Sequence, residues 1–224
     1  MSTFLEVVND VQIRLRETET AAVNTSDLSK LIGTFVNDTK REIEDSFDWL
    51  DLRSLVTVTT VSGTTGYNLT GSNRRSRIRT DSSDRDMVWN TTQQYRMQRV
   101  SMDYIHNEQL VTTINSGEAI YFALSGLNSG VRTIELSPKP NTADSLRFNM
   151  IIPQANLVAG TDEAVEITID DNALKLGTWA KCIHERGEDG GNLYNEVNAQ
   201  YKLALNDAIS YDKARNEEIN WTVI

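Results

Sequence analysis

The spacing of apolar residues changes period twice along the chain, and the two changes divide it into three stretches. Near the start, Phe4, Val8, Val11 and Leu15 recur every three or four residues, with Leu5 beside them. This is the stripe of an amphipathic helix. Thr3 followed by Glu6 forms a capping box, so a helix is predicted over about 3 to 16. A Thr- and Asn-containing loop over 18–26 ends at Ser26, a good N-cap. Beyond it Leu28, Leu31, Ile32, Phe35, Thr39, Ile43 and Phe47 make a second, longer stripe, predicted to pack on the first helix.

The period then drops to two. Leu55 to Val61 is β-branched and alternating, and Ser62-Gly63-Thr64-Thr65-Gly66 reads as a turn into Tyr67-Asn68-Leu69, which predicts a hairpin. Short strands follow at 87–89, 95–100, 119–124, 131–136 and 146–151, interrupted by a short helix over 101–110 with Ser101 as its cap and Asp103 in its first turn. Pro138, Pro140 and Pro153 all fall in this stretch, at strand ends where a missing N–H does least harm. Helical spacing returns after Ile169. Asp170 is placed to cap a helix carrying Leu174, Leu176, Trp179, Ala180 and Ile183, and Gly187 to end it. A further helix opens near Gly191 with Tyr194, Val197, Tyr201, Leu205, Ala208 and Tyr211, giving an αα-hairpin around a Gly187 to Gly191 corner.

The expected class is therefore α+β. Helices from the two ends, residues 1–54 and 166–215, form one discontinuous bundle, an antiparallel β-sheet unit over 55–165 is inserted in it, and 216–224 is an extended tail.

Charge sharpens this division. The chain of 224 residues carries a net charge of −10, and residues 1–54 and 166–224 each hold 6 basic and 11 acidic side chains while 55–165 holds 10 of each. Acidic ends argue against DNA binding through neutralised phosphates, although they suit a surface past which DNA slides. The lone Cys182 excludes an internal disulfide. Met1 to Val8 lacks the regions of a signal peptide, and no apolar run approaches a membrane span, so neither a secretory signal nor a membrane-spanning segment is expected.

Candidate chemistry is sparse, and catalytic, cofactor-binding and metal-ligating residues are all assigned as none. Cys182 and His184 stand two apart on a helix, pointing to nearly opposite sides, and cannot share an ion; His106 lies in another stretch. Paired acids such as Glu42 and Glu44, or Asp170 and Asp171, read as solvated faces. Gly187-Glu188-Asp189-Gly190-Gly191 lacks the ending of a phosphate loop. Two features stand out. Arg74, Arg75, Arg77 and Arg79 form a cluster that could meet a neighbouring protein or a phosphate, set against the plainer reading of an exposed loop softened by Asp81, Asp84 and Asp86. Ile219, Trp221, Val223 and Ile224 are apolar residues in a polar tail, which suits docking into a partner's groove or folding back on the chain's own helices.

Several stretches, in order, resemble the head-to-tail adaptor (connector) proteins of tailed bacteriophages. They are Asn37 to Arg53, Val58 to Thr64 with Tyr67-Asn68-Leu69, Arg99 to Ile105, the corner Glu185 to Gly191, and Tyr201 to Ile209. The resemblance implies a virion structural protein at the portal vertex, not an enzyme. It implies a homo-oligomeric ring, expected to be dodecameric, that lies beneath the portal protein, extends the DNA channel and offers a platform for the tail nozzle protein and for fibres. By the same resemblance the helices line the channel, the β unit faces outward or toward the tail, and the tail residues Ile219, Trp221, Val223 and Ile224 clasp the portal. Leu69 to Arg75 departs from the family, whose members more often have a short Pro-Asp type turn there. The alternatives are a virion-associated cell-wall hydrolase, which needs two positioned carboxylates in a groove, and a tail terminator ring.

Overall fold

The structure, a computed structural model, describes residues 1–111, 116–187 and 191–215. The chain divides into two compact units, Met1–Leu52 with the chain from Gln154 onward, and Arg53–Pro153. The fold is mixed α+β, with N- and C-terminal helices flanking a sheet region.

In the first unit, α1 (Phe4–Arg14) and α2 (Asp27–Ser46) come from the N-terminal stretch, and α4 (Asp171–Arg186) and α5 (Asn192–Arg215) from the C-terminal one. The starts of α1, α2 and α4 follow the local chemistry foreseen for them. The Thr3 hydroxyl accepts from the Glu6 N–H at 3.3 Å while the Glu6 carboxylate accepts from the Thr3 N–H at 2.8 Å. Ser26 accepts from the Ser29 N–H at 3.0 Å, and Asp170 from the Ala173 N–H at 2.8 Å. α4 ends on Gly187, whose φ of 61° is the left-handed conformation that glycine takes without a Cβ penalty.

The buried side of α2 is rotated from the expected stripe. Ser29, Ile32, Gly33, Val36, Thr39, Lys40, Ile43 and Glu44 face inward, whereas Leu31 is 39% exposed. Close backbone approach is the reason. A Cβ on Gly33 would lie 2.8 Å from Val23 and 3.1 Å from Phe4, so the small residue marks the side against α1. Gly177 of α4 does the same, with Thr39 at 2.6 Å and Tyr201 at 2.9 Å from an added Cβ. Phe4, Val7, Val8 and Val11 of α1, Ile32, Val36 and Ile43 of α2, and Ala173, Leu174 and Ala180 of α4 fill this core.

From Gln154 the chain runs over these helices without regular structure. Asn37 fixes it at both polar groups of Leu157, accepting from its N–H at 2.8 Å and donating to its carbonyl at 2.9 Å. Lys40 and Glu44, neither with any exposed side chain, fix it at Gln154: Lys40 Nζ donates to the carbonyls of Gln154 and Ala155 at 2.9 Å each and lies 3.4 Å from Glu44, which accepts from the Gln154 N–H at 3.1 Å.

The second unit holds β1 (Arg53–Thr59), β2 (Gly66–Asn68), β3 (Arg77–Ile78), β4 (Val88–Asn90), β5 (Tyr95–Arg96), β6 (Gln98–Arg99), α3 (Met102–Val111), β7 (Ser116–Gly117), β8 (Tyr121–Asn128), β9 (Val131–Ser137), β10 (Lys139–Pro140) and β11 (Ser145–Ile151). One sheet runs β1-β11-β4-β5 with β3 also on β11, another β2-β9-β8-β6, and β7 pairs with β10. Pairing is antiparallel except for β6 with β8 and β7 with β10. A parallel pair needs a crossover, and α3, with Ser101 accepting from the Tyr104 N–H at 3.2 Å, forms part of that between β6 and β8. Val56, Val88, Leu146, Phe148 and Met150 from one sheet meet Phe122, Ile134 and Leu136 from the other in one core, where the Phe122 and Phe148 rings stand edge-on at 5.8 Å.

Two local expectations do not hold. The stretch 55–69 is not a hairpin, because β1 pairs with β11 and β2 with β9, so residues 60–65 cross from one sheet to the other. Six residues between the strands are too many for the two-residue turns that fold a chain back on itself. Tyr67 closes the crossing instead: its hydroxyl accepts from the Val61 N–H at 2.9 Å and lies 2.9 Å from the Thr64 carbonyl. Likewise 95–100 is two strands in different sheets, split at the buried Met97.

Candidate interaction surfaces

The arginine cluster lies on a stiff loop of the β unit between β2 and β3. Ser72 accepts from the Arg132 N–H at 3.0 Å, the Asn73 N–H donates to Ser76 at 2.8 Å, and the Asn73 amide donates to the Pro153 carbonyl at 2.6 Å. Arg132 braces the loop from β9, donating to the carbonyls of Arg74 at 2.7 Å and Ser76 at 3.2 Å. Of the four arginines only Arg74 is exposed; Arg75, Arg77 and Arg79 are half-buried and each has a partner.

Two of the aspartates beside them, Asp81 and Asp86, are engaged with other cations. Asp81 takes Arg96 at 2.6 Å and Arg85 at 3.0 Å, and these bonds hold its carboxyl well below the usual carboxylate range. Asp86 lies 3.8 Å from Arg99, and burial pushes its carboxyl up. Arg96 also stands over the Trp89 ring, 6.0 Å from its centre.

Among the described residues of the helical unit, two clefts lie at opposite ends of the antiparallel pair α4 and α5. At the end where α5 finishes, Met1, Trp49, Asp51, Asp170, Asp171, Tyr211, Asp212 and Arg215 line a cavity of about 280 Å³. Three of its carboxylates have structural duties. Asp170 caps α4, Asp171 accepts from the Ser2 N–H and hydroxyl at 3.0 and 2.9 Å, and Asp212 accepts from the Leu50 N–H at 3.1 Å. At the end where α5 starts, Arg14, Leu15, Arg16, Trp179, Ile183, Arg186 and Leu193 line a cavity of about 430 Å³. Arg14 stacks over Trp179 at 5.3 Å and pairs with Asp10 at 2.9 Å, and Arg186 pairs with Glu17 at 2.7 Å. This second cleft was not foreseen from sequence, because its arginines are separated by about 170 residues and meet only through folding.

Cys182 is buried, and burial pushes its thiol up to about 12, which leaves it protonated and unreactive at neutral pH. His184 lies on the exposed side of α4, its ring 4.9 Å from that of Tyr194. Among the described residues no group of three or more His, Cys, Asp or Glu could hold a metal ion, and no helix is long and apolar enough to cross a membrane. The tail residues Ile219, Trp221, Val223 and Ile224 lie outside the described residues.

Helices from the two ends of the chain and a sheet region make this a mixed α+β protein, with Asp170, Asp171 and Asp212 held in a cap and in backbone contacts. The chain belongs to the SU10 adaptor protein family, whose model matches residues 2–222, as befits a bacteriophage head-to-tail adaptor. A search of curated proteins found no match.

Proposed function

We propose that copies of this chain form a ring beneath the portal, extend the DNA channel of the virion, and give the tail nozzle and fibres their docking platform. The observation that carries this reading is the partition of charge between the two units. The helical unit holds 24 acidic and 11 basic side chains, and the β unit 8 acidic and 11 basic. A wall past which DNA must move without sticking needs an excess of negative charge, since affinity for the duplex comes mainly from cations set against phosphates. The helical unit meets that need. The β unit, net positive and carrying a braced arginine loop, suits contact with acidic surfaces of neighbouring copies or tail proteins.

In this reading the ring is a dodecamer, Arg74, Arg75, Arg77 and Arg79 face a neighbour or a tail protein, and Ile219, Trp221, Val223 and Ile224 clasp the portal. Electron microscopy of the purified protein with and without portal rings tests it. Closed rings coaxial with the portal are the expected result. Peptidoglycan digestion abolished by a single carboxylate substitution would overturn the reading in favour of a hydrolase.

A further inference from the structure

The arginine cleft is out of keeping with the unit that contains it. In a unit with 24 acidic side chains, Arg14, Arg16 and Arg186 stand together around an apolar floor of Leu15, Trp179 and Ile183. Arg14 and Arg186 are paired with Asp10 and Glu17 at the rim, whereas Arg16 meets no carboxylate among the described residues. Its backbone is a second sign. Arg16 sits at the end of α1 with φ 61°, a left-handed position that glycine takes more readily than any side-chain-bearing residue. A guanidinium is held at the mouth of the cleft despite that strain.

The occupant that fits is in the same chain. Residues 216–224 read Asn-Glu-Glu-Ile-Asn-Trp-Thr-Val-Ile, two adjacent carboxylates followed by alternating apolar residues. We propose that this segment from a second copy fills the cleft, with Glu217 and Glu218 against the arginines and Ile219 and Trp221 over Leu15, Trp179 and Ile183. Surface ion pairs such as Arg14–Asp10 are worth little, so exchanging or sharing them with the incoming carboxylates costs little.

Reach decides between a second copy and the same one. The cleft lies at the start of α5 and the segment begins at its end, so Leu193 and Arg215 are separated by roughly 33 Å at about 1.5 Å per helical residue. Glu217 and Glu218 lie at most about 10 Å past Arg215 even in a fully extended chain. They cannot return to their own cleft. A contact that joins one end of the bundle to the other end of the next copy is heterologous, the type that closes rings or runs on as filaments. The inference narrows the proposed portal clasp, since Ile219 and Trp221 are taken by the neighbour's cleft and Val223 and Ile224 alone are left for the portal; self-association is measured with no portal present, so its failure is distinct from failure of the adaptor reading.

The test uses three full-length variants and one deletion, followed by sedimentation velocity. Deleting 216–224, or Arg16→Glu, is expected to weaken self-association roughly tenfold or more, as loss of a buried charge contact does. Arg16→Gly relieves the backbone strain, so it weakens association while the melting temperature holds or rises, which separates the cleft's role from folding. Glu217→Lys with Glu218→Lys should regain affinity for the Arg16→Glu cleft. The deciding experiment mixes the deletion protein, which keeps a cleft, with Arg16→Glu, which keeps a tail. Capped heterodimers that neither protein forms alone are expected. Unchanged association of the deletion protein, or no heterodimer on mixing, overturns the proposal, the second outcome pointing to a tail that stays on its own subunit.

Discussion

Lys40→Met is the substitution that tests most directly how the chain is drawn back onto the helical unit. Lys40 Nζ has two carbonyl partners at 2.9 Å and Glu44 at 3.4 Å, and both side chains are fully buried. Removing the ammonium leaves a buried carboxylate with the Gln154 N–H still donating to it at 3.1 Å, and strips a donor from two carbonyls. Breaking one partner of a buried pair costs about 3–5 kcal/mol, and an unsatisfied buried polar group about 1–3 kcal/mol. The two overlap, so about 4 kcal/mol is expected, roughly a quarter or more of the stability of an ordinary domain. Because the contacts all lie in the helical unit, urea unfolding followed by far-ultraviolet circular dichroism should show the helical transition moving to lower urea. Fluorescence of Trp89, the β unit's only tryptophan, read with the other tryptophans replaced by Phe, should show the sheet transition unmoved. The double variant Lys40→Met with Glu44→Leu should recover part of the loss, since it removes the stranded charge. A loss under about 1 kcal/mol for Lys40→Met, or a shift of the sheet transition instead, would refute the reasoning.

Three further outcomes follow from named contacts. Gly177→Ala improves helix propensity by about 1 kcal/mol, yet its Cβ would meet Thr39 at 2.6 Å and Tyr201 at 2.9 Å, so a net loss of about 1–3 kcal/mol is expected by thermal melting. Tyr67→Phe should cost about 1 kcal/mol by removing the hydroxyl that closes the crossing between the sheets; no change in chemical denaturation would count against that role. Asp81 is held ionised by Arg96 and Arg85. A carboxylate whose folded pKa is depressed adds stability that is fully present above its unfolded value, about 3.9, and is lost as pH falls through the folded one. Asp81→Asn should therefore lower stability at neutral pH, with the gap from the parent closing only as pH falls below about 4.

What could be foreseen from sequence was mostly what neighbouring residues decide among themselves. Thr3 and Glu6, Ser26, Ser101, Asp170 and Gly187 each act within one helical turn, and each holds the place expected of it. The misses share one cause, that the deciding partner is far along the chain. Whether Val56 and Tyr67 belong to one hairpin or two sheets depends on Phe148 and Ile134, which are their actual partners. Lys40 and Glu44, four apart, have the spacing of a solvated helix pair, and only Gln154 and Ala155 make the pair an internal one. The arginine cleft is the same case at larger scale, since Arg14 and Arg16 gain Trp179 and Arg186 only when α1 meets α4.

The same long-range contacts sharpen the charge partition on which the proposed function rests. Lys40 and Asn37 hold 154–157 to α2, and a bridge between Thr3 and Glu166 holds the stretch further on to the N-terminus. Asp162 and Glu163 therefore count with the helices, and Arg53 with the sheets. Divided at Leu52 and Pro153, the chain is no longer two acidic ends around a neutral middle. It is one strongly acidic unit and one mildly basic one, 24 acids to 11 bases against 8 to 11. A neutral middle would be indifferent to DNA and to acidic proteins alike. A basic β unit is attracted to both, so under the proposed function its cations are better matched to acidic protein surfaces than to a DNA path. Arg74, exposed on its braced loop, then meets protein rather than phosphate. Arg74→Glu should weaken binding of the tail nozzle protein or a neighbouring copy and leave retention of duplex DNA by the assembled protein unchanged in a mobility-shift assay. A gain or loss of DNA retention on that one reversal would place the sheets at the channel.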